Sequence, residues 1–330
     1  SYPDILLLPE LATFFNVSVD ELLGYSPQLT KEAIKKLYNE LKHDFAAKPF
    51  EEVMEQCETI IKEYYSCFQL LLAMIQLLLN HLMLAEKEET KNEILTRCIT
   101  LCQRVKEESD DMCEVKTANS MEALMEMTLG NNEKVISLLD DKLVPYCGDD
   151  VILINAYQML GETEKANKVN QVLLYQGAID LLTLLNNYLV LHMAEPALFE
   201  QIYQQGVQII DSFRMKEILT NAVFGMHIVA AQGYLMQQEK NKALDALAQY
   251  VDIVCGFQFP LKLKGNDYFN LVDEWLEDNI FVGTSSPLDT KAVKANFIKM
   301  VEENPAFLSL KEETRYQQLL TNLKTKLQSN

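Results

Sequence analysis

Very little in this sequence can stop a helix. Of 330 residues only 11 are Gly and 9 are Pro, and period-two alternation of apolar and polar residues is scarce, so the turns of an all-β or α/β fold lack material. Apolar residues recur instead at spacings of three and four, which predicts helices along most of the chain. The breakers that do occur fall at intervals: Lys48-Pro49, Lys87-Glu88-Glu89, Gly130-Asn131-Asn132, Gly161-Glu162-Thr163, Ala194-Glu195-Pro196 and Gln237-Gln238-Glu239. They stand 31 to 43 residues apart. That spacing predicts repeats, each a helical hairpin, about five or six in all.

Two of these turns share a pattern. Leu129-Gly130-Asn131-Asn132-Glu133-Lys134-Val135 and Leu160-Gly161-Glu162-Thr163-Glu164-Lys165-Ala166 both read Leu-Gly-polar-polar-Glu-Lys-apolar, and Met236-Gln237-Gln238-Glu239-Lys240 is a weaker relative. Gly permits the left-handed backbone of a tight reversal, and a small residue such as Ala lets the helices pack closely. The pattern resembles the turn between the two helices of a tetratricopeptide repeat, although the full repeat signature is never intact. The resemblance implies an all-α fold, a right-handed solenoid of tetratricopeptide-like hairpins over residues 26–330.

Past residue 250 the pattern loosens. Asn266 to Asn279 reads as a helix holding the only Trp, Trp275, and Ser285-Ser286-Pro287 predicts the start of another running to about Val301. Asn304-Pro305-Ala306-Phe307, followed by Tyr316, Leu319, Leu320 and Leu323, resembles the closing segment of bacterial tetratricopeptide regulators. Residues 285–330 are therefore expected to be capping helices over the last repeat's apolar face.

The first twenty-five residues read differently. Ile5, Leu8, Leu11, Ala12 and Phe15 make one apolar stripe. Pro3 and Asp4 suit a helix start, Pro9 moves that start toward Leu8, and Asn16 is a left-handed stop. Ser18-Val19-Asp20-Glu21 is a capping box for a short second helix that ends at Gly24. Two helices of this size cannot bury enough apolar surface to stand alone. Their order resembles the closing two helices of the lambda-repressor-like (Xre-type) helix-turn-helix domain, the part that follows the recognition helix. The resemblance implies that residues 1–25 are the C-terminal remnant of that DNA-binding domain and its linker. Operator DNA would then be read by helices that precede Ser1.

Charge fits that division. Lys and Arg number 29 against 48 Asp and Glu, a net charge of −19, which repels phosphate and anionic lipid, and residues 1–25 hold no Lys or Arg. Seven scattered cysteines predict reduced thiols in a cytoplasmic protein. The most apolar run, Phe68 to Leu84, carries Gln69, Gln76, Asn80 and His81, which predicts a buried core helix rather than a membrane span.

Chemistry is thin. The sequence has no Gly-rich phosphate loop, no His-Glu-x-x-His and no Gly-x-Ser-x-Gly elbow, and neither enzyme activity nor a cofactor is expected. Cys98 and Cys102 share a helix face with Cys113 a helix further on, but no fourth ligand accompanies them, and the expectation is no metal. His192 and His227 sit in apolar helices and read as core imidazoles.

One pattern stands out. Asn is a poor residue for a helix interior, yet it recurs as Asn119, Asn155, Asn186-Asn187 and Asn221 at spacings of 31 to 36. An amide both donates and accepts, so a ladder of them can clamp the backbone of an extended peptide. Peptide-sensing tetratricopeptide regulators of Gram-positive bacteria, which the chain resembles in architecture, use inner-helix asparagines in this way. The resemblance implies that Asn119, Asn155, Asn187 and Asn221 hold a small peptide or protein effector.

Together these readings predict a cytoplasmic transcriptional regulator in which this chain senses an effector and forms a homodimer. The competing expectation is a tetratricopeptide-like interaction scaffold with no DNA role.

Overall fold

The computed structural model describes residues 5–17, 19–23, 28–139, 148–218, 221–280 and 282–329. Among them there is no strand, only one isolated bridge between Lys262 and Ser285, and the fold is all-α. Packing divides the chain into two compact units, Ser1–Leu143 and Val144–Asn330, where the sequence predicts a single array from residue 26.

The first unit carries α1 (Leu8–Phe15), α2 (Val19–Leu23), α3 (Lys31–Ala47), α4 (Phe50–Glu63), α5 (Phe68–His81), α6 (Glu88–Glu108), α7 (Met112–Thr128) and α8 (Asn132–Leu139). Pro9 lies in the first turn of α1, where its missing N–H has no helical partner to lose. Asn16 ends that helix at φ 54°, and its N–H and that of Val17 return to the carbonyls of Thr13 and Ala12. The expected features at Pro3-Asp4, Ser18 and Gly24 lie outside the described residues.

From α3 onward each helix of this unit packs on the next, and α3 also meets α5 while α5 meets α7. Such neighbour and next-neighbour packing is what a helical-repeat array requires. The centre is α5, in which Leu70 to Ile75, Leu77 and Leu78 are all buried. Two of its polar residues have partners: Asn80 donates to the Tyr38 hydroxyl at 3.2 Å, and His81 Nδ1 lies 2.8 Å from the Leu77 carbonyl. The His81 ring also stacks on Phe45, with centroids 4.4 Å apart. Arg97 of α6 reaches Glu58 of α4 through two bonds of 3.1 Å. No helix among the described residues is long and apolar enough to cross a membrane.

The second unit holds α9 (Asp149–Met159), α10 (Thr163–Leu191), α11 (Pro196–Ser212), α12 (Asn221–Met236), α13 (Lys240–Gly256), α14 (Asp273–Asn279), α15 (Thr290–Glu302) and α16 (Thr314–Ser329). Successive helices again pack from α9 to α13, and α10 also meets α12. At the end α16 packs on both α13 and α15. The Tyr250 and Tyr316 hydroxyls fasten this end by donating to the Phe297 and Val301 carbonyls, each at 2.9 Å.

All six sequence breaks separate helices, and three of them share one geometry. Gly130, Gly161 and Gln238 are left-handed at φ 82°, 74° and 63°. The N–H of the following residue reaches back five residues in each case, Asn131 to Glu126, Glu162 to Tyr157 and Glu239 to Tyr234. These are Schellman caps, and Gln238 occupies without glycine the position that Gly130 and Gly161 fill.

Three expectations are corrected. The interval from Gly161 to Glu195 holds no hairpin but one helix, α10, of 29 residues. It contains no Pro and one Gly, and its asparagines, though weak helix formers, do not stop a helix. The helix expected from Asn266 begins only at Asp273, because the Asn266 side chain accepts from the Tyr268 and Phe269 N–H groups and donates to the Phe213 and Arg214 carbonyls. The helix expected from Ser285 starts at Thr290, capped by Asp289, whose Oδ1 accepts from the N–H groups of Lys291 and Ala292.

Close helix packing in the second unit rests on glycine. A Cβ on Gly233 of α12 would stand 2.2 Å from Cζ of the buried Phe199 of α11, and one on Gly206 of α11 would meet the end of Met226 at 2.4 Å.

Candidate binding surface

The four asparagines fall in different settings. Asn119 belongs to the first unit and is bonded within it: Lys106 Nζ donates to its Oδ1 at 2.8 Å, and its Nδ2 donates to the Leu138 carbonyl at 3.0 Å. The same ammonium lies 2.9 Å from Glu122, whose carboxylate is 2% exposed and also accepts from Gln103 at 3.1 Å. Lys134 and Asn131 beside it hold the Glu126 carboxyl below the usual carboxylate range. Asn119 is thus one member of a polar network that joins α6, α7 and α8.

The other three belong to the second unit and are exposed. Asn221 opens α12, where the next carbonyl, that of Ala222, accepts the Asn186 amide at 2.7 Å. Asn186 is the half-buried member of the Asn186-Asn187 pair, and its buried Oδ1 has no partner among the described residues. Asn187, the next residue along α10, is exposed. Asn155 lies on the exposed side of α9.

Both Asn155 and Asn187 are single amides in apolar surroundings. On α9, Val151, Ile152 and Met159 are exposed at positions four before, three before and four after Asn155. On α10, Leu184 and Leu191 are exposed three before and four after Asn187. The two helices pack on each other. Each carries more exposed apolar side chains than the scattered ones a folded protein normally shows, with an amide among them that can both donate and accept.

Several other titratable groups have internal partners. The Tyr203 hydroxyl and His227 Nδ1 are 3.0 Å apart, and burial, with Lys216 adding to it, pushes His227 down from 6.5 to about 4. Glu200 accepts from Tyr234, Lys242 and Gln204, and despite its burial these donors hold its carboxyl below the usual range. Burial pushes the thiols of Cys57, Cys98 and Cys102 up to about 12, so at neutral pH they are protonated and behave as small hydrophobes. No group of three or more His, Cys, Asp or Glu among the described residues could hold a metal ion. A cleft of about 690 Å³ is lined by Lys216, Asp252, Phe257, Pro260, Lys262 and Lys264 among others, and by none of the four asparagines.

Comparison with profiles of known protein families, with curated proteins and with solved structures returned no match. What reasoning from the sequence missed is the exposed apolar side of α10. Its signal is nevertheless written there, as Leu174, Leu181 and Tyr188 seven apart and Gly177, Leu184 and Leu191 seven apart.

Proposed function

We propose that this chain is the sensing and pairing region of an Xre-type transcriptional regulator, with a small peptide or protein effector bound on the exposed side of α9. The observation that carries the reading is Asn155, an exposed amide framed by exposed Val151, Ile152 and Met159 on a helix that packs directly against α10. An amide in an apolar surface suits a ligand that brings both backbone polar groups and apolar side chains. The exposure of Phe14 at 80%, with Phe15, Val17 and Leu23, supports reading α1 and α2 as closing helices of a larger domain that would cover them. The net charge of −19 supports assigning DNA contact to other helices.

In this reading effector binding on α9 shifts α10 and with it the geometry of a pair, so that two DNA-reading helices match or miss their half-site separation. The test is fluorescence anisotropy with a labelled pool of unstructured apolar peptides. Wild-type chain is expected to bind, and Asn155→Ala to weaken binding by about tenfold, the value of one well-made hydrogen bond. Absence of binding to any peptide in the pool, or equal binding by the variant, overturns the assignment.

A further inference from the structure

We infer that the exposed side of α10 pairs two copies of this chain as an antiparallel two-helix seam centred between Leu181 and Leu184. This deepens the pairing half of the function proposed above and does not depend on the effector.

The face is long and uncovered. At 1.5 Å per residue the 29 residues of α10 span about 43 Å, whereas the 11 residues of its partner α9 span about 16 Å. Running back from the turn at Gly161, α9 can accompany α10 only to about residue 173. Tyr175, Ala178, Leu182 and Leu189 are buried on one side of what remains. Leu174, Leu181, Leu184, Tyr188 and Leu191 are exposed on the opposite side, Leu191 by 76%. With Gly177 these residues fill both apolar positions of a seven-residue repeat from 174 to 191, the spacing that lets one helix pack along another.

The occupant follows from the order of sizes along the stripe. Turned end for end about its midpoint, Leu174 meets Leu191, Leu181 meets Leu184, and Gly177 meets Tyr188 of the second copy. The bulkiest side chain thus faces the residue with none. A Cβ on Gly177 would find nothing within 4 Å, so the hollow is open in the single chain. Self-complementarity of this kind is what a two-fold interface requires, since the same patch supplies both halves.

Charge agrees. Two copies of a chain of net charge −19 repel, yet from Val169 to Leu191 the only charged residue is Asp180. Asp180 and Asn187 flank the stripe on the same side. Two-fold pairing brings those flanks together, so that Asn187 can donate to Asp180 of the second copy.

The test is the mass of the whole chain by sedimentation equilibrium at micromolar concentration. Wild type is expected at the mass of two copies, and Leu181→Glu with Leu184→Glu at the mass of one, with helix content by circular dichroism unchanged because both side chains are exposed. Leu174→Glu, nearer the end of the stripe, serves as a second variant and is expected to raise the dissociation constant at least tenfold. The register has its own test: Gly177→Leu is expected to abolish pairing, and Tyr188→Ala added to it to restore pairing. A wild-type chain with the mass of one copy, or a pair indifferent to glutamate at 181 and 184, overturns the inference. Failure of the exchange to restore pairing overturns the two-fold register. Failure of pairing leaves the effector assignment standing, since peptide binding at Asn155 has its own readout in anisotropy.

Discussion

The Tyr203 hydroxyl stands 3.0 Å from Nδ1 of His227, inside the second unit, and the other ring nitrogen of that histidine is buried without a partner among the described residues. An imidazole so placed stays neutral. Its folded-state value is about 4 against 6.5 for a free histidine, and burial is the main cause, with Lys216 reinforcing and Asp211 opposing it. The unfolded chain therefore binds more protons than the folded one between those values. Stability from this group is complete above pH 6.5 and is lost as pH falls toward 4, by about 1.4 kcal/mol per unit. Urea unfolding at pH 7 and at pH 5, for wild type and His227→Gln, checks this. The variant is expected to lose less stability between the two pH values.

Gln238 occupies a left-handed cap that glycine occupies at the two related turns. A side chain there costs about 1 kcal/mol. Gln238→Gly is expected to stabilise the chain by about 0.5–1 kcal/mol, and Gly161→Ala to destabilise it by about 1 kcal/mol. Thermal denaturation of the two variants reads opposite signs.

Gly233 lets α12 approach α11. With Phe199 fully buried against it, Gly233→Ala forces an aromatic ring to move within a packed core and is expected to cost about 2–3 kcal/mol. Gly206→Ala, which meets only the flexible end of Met226, is expected to cost less. Paired unfolding curves give the order directly.

Lys106 is the ammonium on which Asn119 and Glu122 converge. Its replacement by Met leaves a buried carboxylate with Gln103 at 3.1 Å and Lys134 at 3.7 Å. A fully buried pair broken in this way costs about 3–5 kcal/mol, and partial exposure of Lys106 reduces the expectation to about 2 kcal/mol. Urea unfolding of Lys106→Met tests this, and a change under 0.5 kcal/mol, within the ordinary range of surface substitutions, would show that the network contributes little.

The helices were legible because their interruptions were chemically explicit: Lys48-Pro49, Gly130, Gly161 and Pro196 each exclude continuation for a reason visible in one residue. The extent of α14 was not legible, since Asn266 suppresses a helix by bonding to carbonyls 52 and 53 residues away, at Arg214 and Phe213. The same limit applies to the candidate site. Asparagine spacing selected Asn119 and Asn155 alike, but whether an amide faces solvent or a lysine depends on packing that spacing does not encode. On α10 the difficulty was different. Apolar residues on two opposite sides blur any single stripe, and the exposed one emerges only when the buried one is subtracted.

If the chain is the sensing and pairing region, no DNA should bind it by itself. A gel shift with genomic fragments is expected to show no retarded species at physiological salt, given the net charge of −19. A sequence-specific shift would place the DNA-reading surface within these 330 residues.

The proposed effector surface on α9 and the proposed pairing seam on α10 are linked by the direct packing of the two helices. Sedimentation equilibrium of the chain, repeated with a peptide that binds it, measures that coupling. The self-association constant is expected to change by about 5-fold or more with bound peptide, and Asn155→Ala to remove the change at the same peptide concentration. An identical constant with and without bound peptide would contradict the account.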